Sequence, residues 1–430
     1  MQALTIHAPR QRLLKTLIVA LAAASSCAAW ADDEHSPFYI GGKQTFLRDS
    51  NVFRTPDAVH DYYSITGLLG GFDQKISRQR VYATANVEAN KYHNNTVLDN
   101  TSYGVNAGWD WETIESLTGT FNVNANQNLA TFNGNANQPL NNERNLVKTD
   151  QVSTSIRWGG QGILTLEGNY AHSRVRYSAP EFLVNESSAD TASIGGYYRA
   201  GAFLKLGVAV RGTRTESPYA VPKPGAPVGS VNPDDFDSNT TKGTNLDLLA
   251  DWRYSEQTGV NARLSYTRQT NSRSEIQDFS GLTGALKATY VPTAKLTFEA
   301  ELARDAGTNA GFFNNVGTPG STPLGLTQNS QTSDSASLGV RYAATAKINA
   351  NAIYRYRHAK ILNTQTGAAS SEQTDKLNTV GLGVTYDILR SVQLGCTYAH
   401  ESRDVTGTAT IAAFAYKANV FGCSAQFLLK

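Results

Sequence analysis

What most constrains this chain is an alternation of period two that recurs along nearly its whole length. In the stretch YGVNAGWDW, Tyr103, Val105, Ala107, Trp109 and Trp111 occupy odd positions, and Gly104, Asn106, Gly108 and Asp110 even ones. Side chains of a β-strand point alternately to its two faces, so this stretch is a strand with one apolar and one polar face. VYATANVEAN repeats the pattern, with Val81, Ala83, Ala85 and Val87 against Tyr82, Thr84, Asn86 and Glu88. LKLGVAVRG from Leu204, LTFEAELARD from Leu296 and INANAIYRYR from Ile348 do the same. No segment has a convincing helical period, and the chain reads as all-β.

The start of the chain is the exception. Arg10, Arg12 and Lys15 precede a short apolar run, Leu17 to Ala24, and AWA at Ala29 to Ala31 fits a small-x-small cleavage site. That is the form of a secretory leader, too short to span a membrane as a helix. Residues 1–31 are therefore expected to be removed between Ala31 and Asp32, leaving 32–430 as one unit. Acylation at Cys27 is the less favoured reading, because Ala24 stands where lipoprotein signals usually carry Leu.

The leader takes three basic residues and no acidic one, which leaves 35 Lys and Arg against 36 Asp and Glu. A net charge of −1 gives no support to bulk nucleic-acid binding. Mean hydropathy is polar, at −0.35. The only methionine is Met1, and the apolar residues are largely small, β-branched or aromatic, which suits strands better than helical cores.

Tight connections are expected near Ile76, Glu112, Gly159, Ala200, Ser255, Val291, Thr345 and Leu389. Long polar loops are expected between them, including 133–148, 216–243 and 310–331. About eighteen strands result, with short turns at one end and long loops at the other, as in a transmembrane barrel. The apolar face is thin and even. It often ends in aromatics beside the short turns: Trp109, Trp111, Trp158, Tyr198, Trp252, Tyr254, Tyr290, Tyr342 and Tyr386. These are the expected members of an interfacial girdle, so the apolar face is read as facing lipid rather than a core. The expectation is a closed antiparallel barrel in the outer membrane of a Gram-negative bacterium, in contact with outer-membrane lipid and lipopolysaccharide.

FLRDSNVFR on the first strand and YKANVFGCSAQFLL on the last resemble the EpsL-type outer-membrane β-barrels of exopolysaccharide operons, in the wider class called β-barrel porin 2. That resemblance implies a conduit for exopolysaccharide export. It also implies polysaccharide as cargo, periplasmic polysaccharide-export proteins as partners, and insertion by the barrel assembly machinery. One departure is that the chain runs past Phe427 to Leu428, Leu429 and Lys430 rather than ending on an aromatic. The alternative functions are a general or substrate-specific diffusion porin and, from another class, a surface adhesion or structural barrel.

Candidate chemistry is sparse. His400 and Ser402 share a strand face, as in an outer-membrane phospholipase, but Arg403 and Asp404 follow where that family has Asn-Gly. His172 and Ser173 are adjacent and so point to opposite faces. Asp234, Asp235, Asp237 and Asn239 offer oxygen ligands without the glycine turn or distal Glu of a calcium loop. No enzyme, metal or cofactor is expected. The inward register instead carries Arg157, Lys205, Arg211, Arg253, Arg263, Arg341, Arg355 and Arg357, with Glu88, Asp110, Glu112, Glu167, Asp247, Asp251, Glu299 and Glu301. These either satisfy one another across strands or, with the many Asn, Gln, Ser, Thr and Tyr groups of a wide pore, offer weak, repeated contacts to a hydroxyl-rich polymer. Cys396 and Cys423 are expected to face each other on the lipid side of the last hairpin; a disulfide is the less favoured reading there, because direct cross-strand geometry is often strained, and two free thiols the more favoured.

Overall fold

The computed structural model describes residues 36–114, 116–130, 143–159, 162–227, 230–273, 278–306, 331–363, 371–407 and 415–429. Eighteen strands form one sheet. They are β1 (Phe38–Asp49), β2 (Asp61–Ile76), β3 (Gln79–Tyr92), β4 (Asn100–Glu112), β5 (Leu117–Leu129) and β6 (Leu146–Trp158). Next come β7 (Leu164–Tyr177), β8 (Ser187–Ala200), β9 (Leu204–Pro222), β10 (Phe236–Arg253), β11 (Thr258–Asn271) and β12 (Phe279–Thr293). The last six are β13 (Leu296–Ala306), β14 (Gln331–Ala343), β15 (Ile348–Asn363), β16 (Ser371–Leu389), β17 (Val392–Gly407) and β18 (Tyr416–Leu429). Every strand pairs antiparallel with its sequence neighbours, and β1 also pairs with β18, from Ile40 opposite Leu429 to Asp49 opposite Val420. The sheet therefore closes on itself and keeps no free edge.

The eight tight connections fall where the sequence pattern places them. Ile76 and Gln79 are joined through Ser77, whose positive φ of 56° is part of the two-residue reversal. Gly201 plays a similar part before β9, with φ of 87°. Two expectations need correction. The loop expected over 216–243 is mostly strand: β9 runs to Pro222 and β10 begins at Phe236, so the hairpin extends well beyond the others. FLRDSNVFR is not one strand either, because β1 ends at Asp49 and Asn51 to Thr55 fold back as a buried turn. The leader, the loop near Ala409 and most of 133–148 and 310–331 lie outside the described residues.

Alternation fixes the two faces. Outward residues include Leu68, Val105, Ile194, Leu206, Leu248, Leu264, Leu282, Leu302 and Leu382, all between 40% and 71% exposed. On the other face of the same strands lie buried polar groups, such as Ser265 at 0% and Asn245 at 2%. A surface this apolar does not stand in water, and a closed barrel satisfies every backbone group within the sheet. Trp109, Trp158, Tyr198, Trp252, Tyr254, Tyr290, Tyr342 and Tyr386 stand exposed beside the short turns, as interfacial aromatics do. The protein is an outer-membrane β-barrel, with its short turns on the periplasmic side. Eighteen strands about 4.8 Å apart and tilted about 40° enclose a backbone radius on the order of 17 Å, wider than inward side chains alone can fill.

On the lipid face of the last hairpin, Cys396 lies directly opposite Cys423 and the two form a disulfide, with Cα atoms 4.1 Å apart. At the extracellular mouth Val52, Phe53 and Leu98 make a small apolar cluster, with Tyr92 and Leu129 packed against it. This cluster holds the β1–β2 connection against the barrel end.

Candidate functional site

The lumenal wall is the one surface on which inward side chains from every strand converge. Strand pairing places all sixteen of the inward charges named from sequence on the face opposite the exposed apolar residues. They divide by what they touch.

One group is locked. Arg211 donates to both oxygens of Asp247 at 2.9 and 3.1 Å, with both side chains 5% exposed. Arg263 reaches Asp305 at 3.2 Å and donates to Ser265 Oγ at 2.8 Å. Arg403 holds Asp375 at 2.9 Å through both Nε and Nη2, and Arg357 donates to the same carboxylate at 3.1 Å. Around them Thr267 donates to Asn245 and shares a hydrogen bond with Thr283. Charges buried this fully persist only when paired and hydrogen-bonded, so these groups brace the wall. Arg157 with Glu167 at 2.8 Å, Arg341 with Glu299, and Arg80 with Asp73 at 2.5 Å and Asp110 at 3.8 Å are more exposed pairs of the same kind.

The second group is not locked. Strand register sets Lys205 opposite Asp251, Asp251 opposite Asn261, Asn261 opposite Lys287 and Lys287 opposite Glu301. It continues through Ser337 to Arg355, then through Thr379 to Glu401. Rows perpendicular to tilted strands climb the barrel wall. This one starts beside Leu204 at the periplasmic end of β9 and ends near the mouth on β17. Charge alternates along it: Lys205, Asp251, Lys287, Glu301, Arg355, Glu401. Among the described residues, the first five of these make no ion pair within 4 Å. They are partly or fully accessible and can turn toward a solute. Arg253, Glu88 and Glu112 likewise make no ion pair among the described residues.

The top of the row meets the β1–β2 connection. Arg54 donates to Glu401 at 2.7 Å and to Asp49 at 2.7 Å. Burial disfavours its charge, but those two carboxylates outweigh that cost and hold it above the ordinary guanidinium value. Asn51 fastens the same turn through Thr55 and the Lys417 carbonyl. Tyr63 and Tyr92 stack below it with ring centroids 4.7 Å apart. The connection thus lies on the lumenal side of the mouth, bridging β1 to β17.

The sequence pattern alone had not singled out Lys287, Asn261, Glu401, Asp305, Asp375, Arg403 or Arg54. Lys287 and Glu401 carried the same inward parity as their neighbours and were open to the same reading. Arg54 carried no such signal, because it sits in a turn. The other candidates do not assemble. His400 Nδ1 lies 2.9 Å from Asn419 Oδ1 on the outward face, and His172 Nδ1 lies 2.9 Å from Asp190. Asp235 accepts from Ser230, Asp237 pairs with Arg273 at 3.1 Å, and Asn239 donates to Asn271. Among the described residues no three His, Cys, Asp or Glu side chains gather as metal ligands.

No protein-family model matches the chain, and no curated protein matches it. Solved outer-membrane barrels are similar to it. The outer-membrane protein OpdK of Pseudomonas aeruginosa is 12% identical with a TM-score of 0.45, over 91% of this chain and 99% of that one. The siderophore receptor PirA of Acinetobacter baumannii is 9% identical with a TM-score of 0.41, over 93% and 81%. Identity this low leaves function to the geometry of this chain's own lumen.

Proposed function

We infer that the protein is a passive pore through which small hydrophilic solutes cross the outer membrane, a diffusion porin of general or narrow specificity. The row of alternating charges that runs from Lys205 to Arg355 without an ion pair among the described residues, and ends on the Arg54-bound Glu401, is the observation that carries this reading. Conduction needs contacts strong enough to admit a solute and weak enough to release it, repeated along the path. Charges of both signs, spaced by Asn261, Ser337 and Thr379, provide this without a deep binding well. The locked Arg–Asp pairs keep the wall rigid around the path.

The polysaccharide-export reading rests on resemblance at the two chain ends, and among the described residues no feature of the lumen favours a polymer. The periplasmic export proteins expected as partners belong to that reading and are probed with it. Liposome swelling with the purified barrel discriminates between these functions. Monosaccharides and small organic ions are expected to enter, with rates falling steeply as solute size grows. Liposomes that stay impermeable to small solutes, together with loss of a secreted glycan on gene deletion, would instead establish the exporter.

A further inference from the structure

Opposite the charge ladder, the lumenal wall of β3 to β6 carries no charge over its middle. Strand register sets Thr84, Asn106, Asn124 and Gln151 abreast on these four strands. The row above runs from Asn86 across Gly104 to Asn126 and Thr149, and the row below from Tyr82 across Gly108 to Asn122 and Ser153. In a closed ring of eighteen strands, β4 and β5 lie across the lumen from β13 and β14, the middle of the ladder.

Asparagine is depleted in strands, because its side chain competes for backbone hydrogen bonds. β5 nevertheless turns Asn122, Asn124 and Asn126 inward in succession. Elsewhere the wall consumes its own amides. Asn90 donates to Asn100 at 2.9 Å and to Ser102 at 3.0 Å, and Asn245 accepts from Thr267 and donates to the Arg211 carbonyl at 3.3 Å. Among the described residues, by contrast, the side chains of Asn106, Asn124 and Asn126 make no hydrogen bond. All three are partly accessible. Asn86 and the hydroxyl end of Tyr82 lie over Gly104 and Gly108, where a Cβ would collide with them, and Tyr82 donates to Asn122 Oδ1 at 2.7 Å. Asn106 lies between these two glycines on the inward register of β4, so its amide has no bulky neighbour on its own strand.

We propose that this wall binds neutral sugars of one or two rings, as the solute the pore is built to pass; the proposal rests on the reading of the barrel as a pore. An open amide offers two donors and an acceptor, which match sugar hydroxyls, each able to donate and accept. Asn106 and Asn124 are direct cross-strand partners, with Cβ atoms about 5 Å apart, so neighbouring hydroxyls of one ring can meet both. With no fixed charge, the wall has nothing to neutralise an ion it desolvates, and it favours uncharged solutes. The field ends at Glu88 above and at the Arg80–Asp110 pair below. It extends about 14 Å across the strands and about 13 Å along them, room for a disaccharide.

Saturation-transfer NMR with sucrose, on the full barrel in detergent micelles, reads the sugar surface, and ion current in a planar bilayer reads the pore. Saturable sucrose contact, competed by glucose, is expected from the native protein. Asn106→Ala with Asn124→Ala is expected to weaken it about tenfold, the effect of two lost hydrogen bonds. Asn106→Leu with Asn124→Leu, which keeps the side-chain size and removes the amides, is expected to weaken it as much, while sugar-free current persists in both variants. Thr289→Ala with Thr297→Ala, on the lumenal face of β12 and β13, is expected to leave sucrose contact unchanged. Heat-dependent gel mobility verifies that each variant is folded. Sucrose contact that survives both asparagine variants overturns the proposal, as does an equal fall in the threonine variant. Current without saturable sucrose contact overturns it too and leaves the pore reading standing. Saturable contact without current upholds the sugar surface and overturns the pore reading instead.

Discussion

Arg211 and Asp247 show what separates a bracing charge from a working one. Both side chains are 5% exposed, so Asp247→Ala takes the bidentate carboxylate from a buried guanidinium and is expected to cost about 3 kcal/mol in a reversible urea unfolding titration from lipid vesicles. Lys205→Ala, at a position with no ion pair among the described residues, is expected to change stability by less than about 0.5 kcal/mol. Equal effects would erase the distinction between the two groups. The parity of every inward charge on a strand was legible in sequence, because a period of two leaves no freedom once one face is known. The partners were not. Arg263 finds Asp305 two strands away in the barrel, and which carboxylate a long side chain meets depends on the stagger of the strands. The cysteines were legible as a facing pair for the same reason of parity. Alkylation of the folded protein without reductant is expected to label neither Cys396 nor Cys423, and labelling of both would contradict the bond.

Strand number and the eight short turns could be read because apolar alternation stops where the chain leaves the lipid. That same rule hid the upper parts of β9 and β10. There Pro218 interrupts the strand pattern, and pairing of Ser217 with Asn239 and then, past a register shift, of Val221 with Asp237 and Pro222 with Phe236 keeps them in the sheet. The β1–β2 connection was hidden more deeply, since its buried Val52 and Phe53 look like a continued strand. This element tests its own role. Arg54→Ala removes the tie between β1 and β17, and is expected to raise open-state current fluctuation in single-channel recordings while leaving barrel assembly intact. Unchanged current noise would reduce the tie to packing.

Acid should act on the neighbouring connection between β3 and β4. Desolvation pushes Asp99 up, but the Lys91 ammonium and the Tyr92 N–H outweigh it and hold the carboxyl below its ordinary value. A carboxyl depressed in the folded state stabilises above its unfolded pKa, near 3.9, and loses that contribution as pH falls through the lower folded value. Amide exchange over 93–99 is therefore expected to be flat from neutral pH to about pH 4, once corrected for intrinsic rates, and to accelerate below it. Acceleration already near pH 6 would place the controlling group elsewhere.

At the scale of the whole molecule, closure, width and the charge ladder together make one claim: the barrel encloses a water-filled path whose wall interacts with what passes. Closure follows from β1 meeting β18, and the width from eighteen tilted strands. The most direct test is the reversal potential across a planar bilayer under a salt gradient. The native protein is compared with a variant carrying Lys205→Glu, Lys287→Glu and Arg355→Glu. Stepwise currents are expected from both, with weak ion preference in the native pore, because the ladder alternates in sign, and a clear shift toward cation selectivity in the variant. An inserted barrel that passes no current, or a reversal potential that the three changes leave unmoved, would contradict the account.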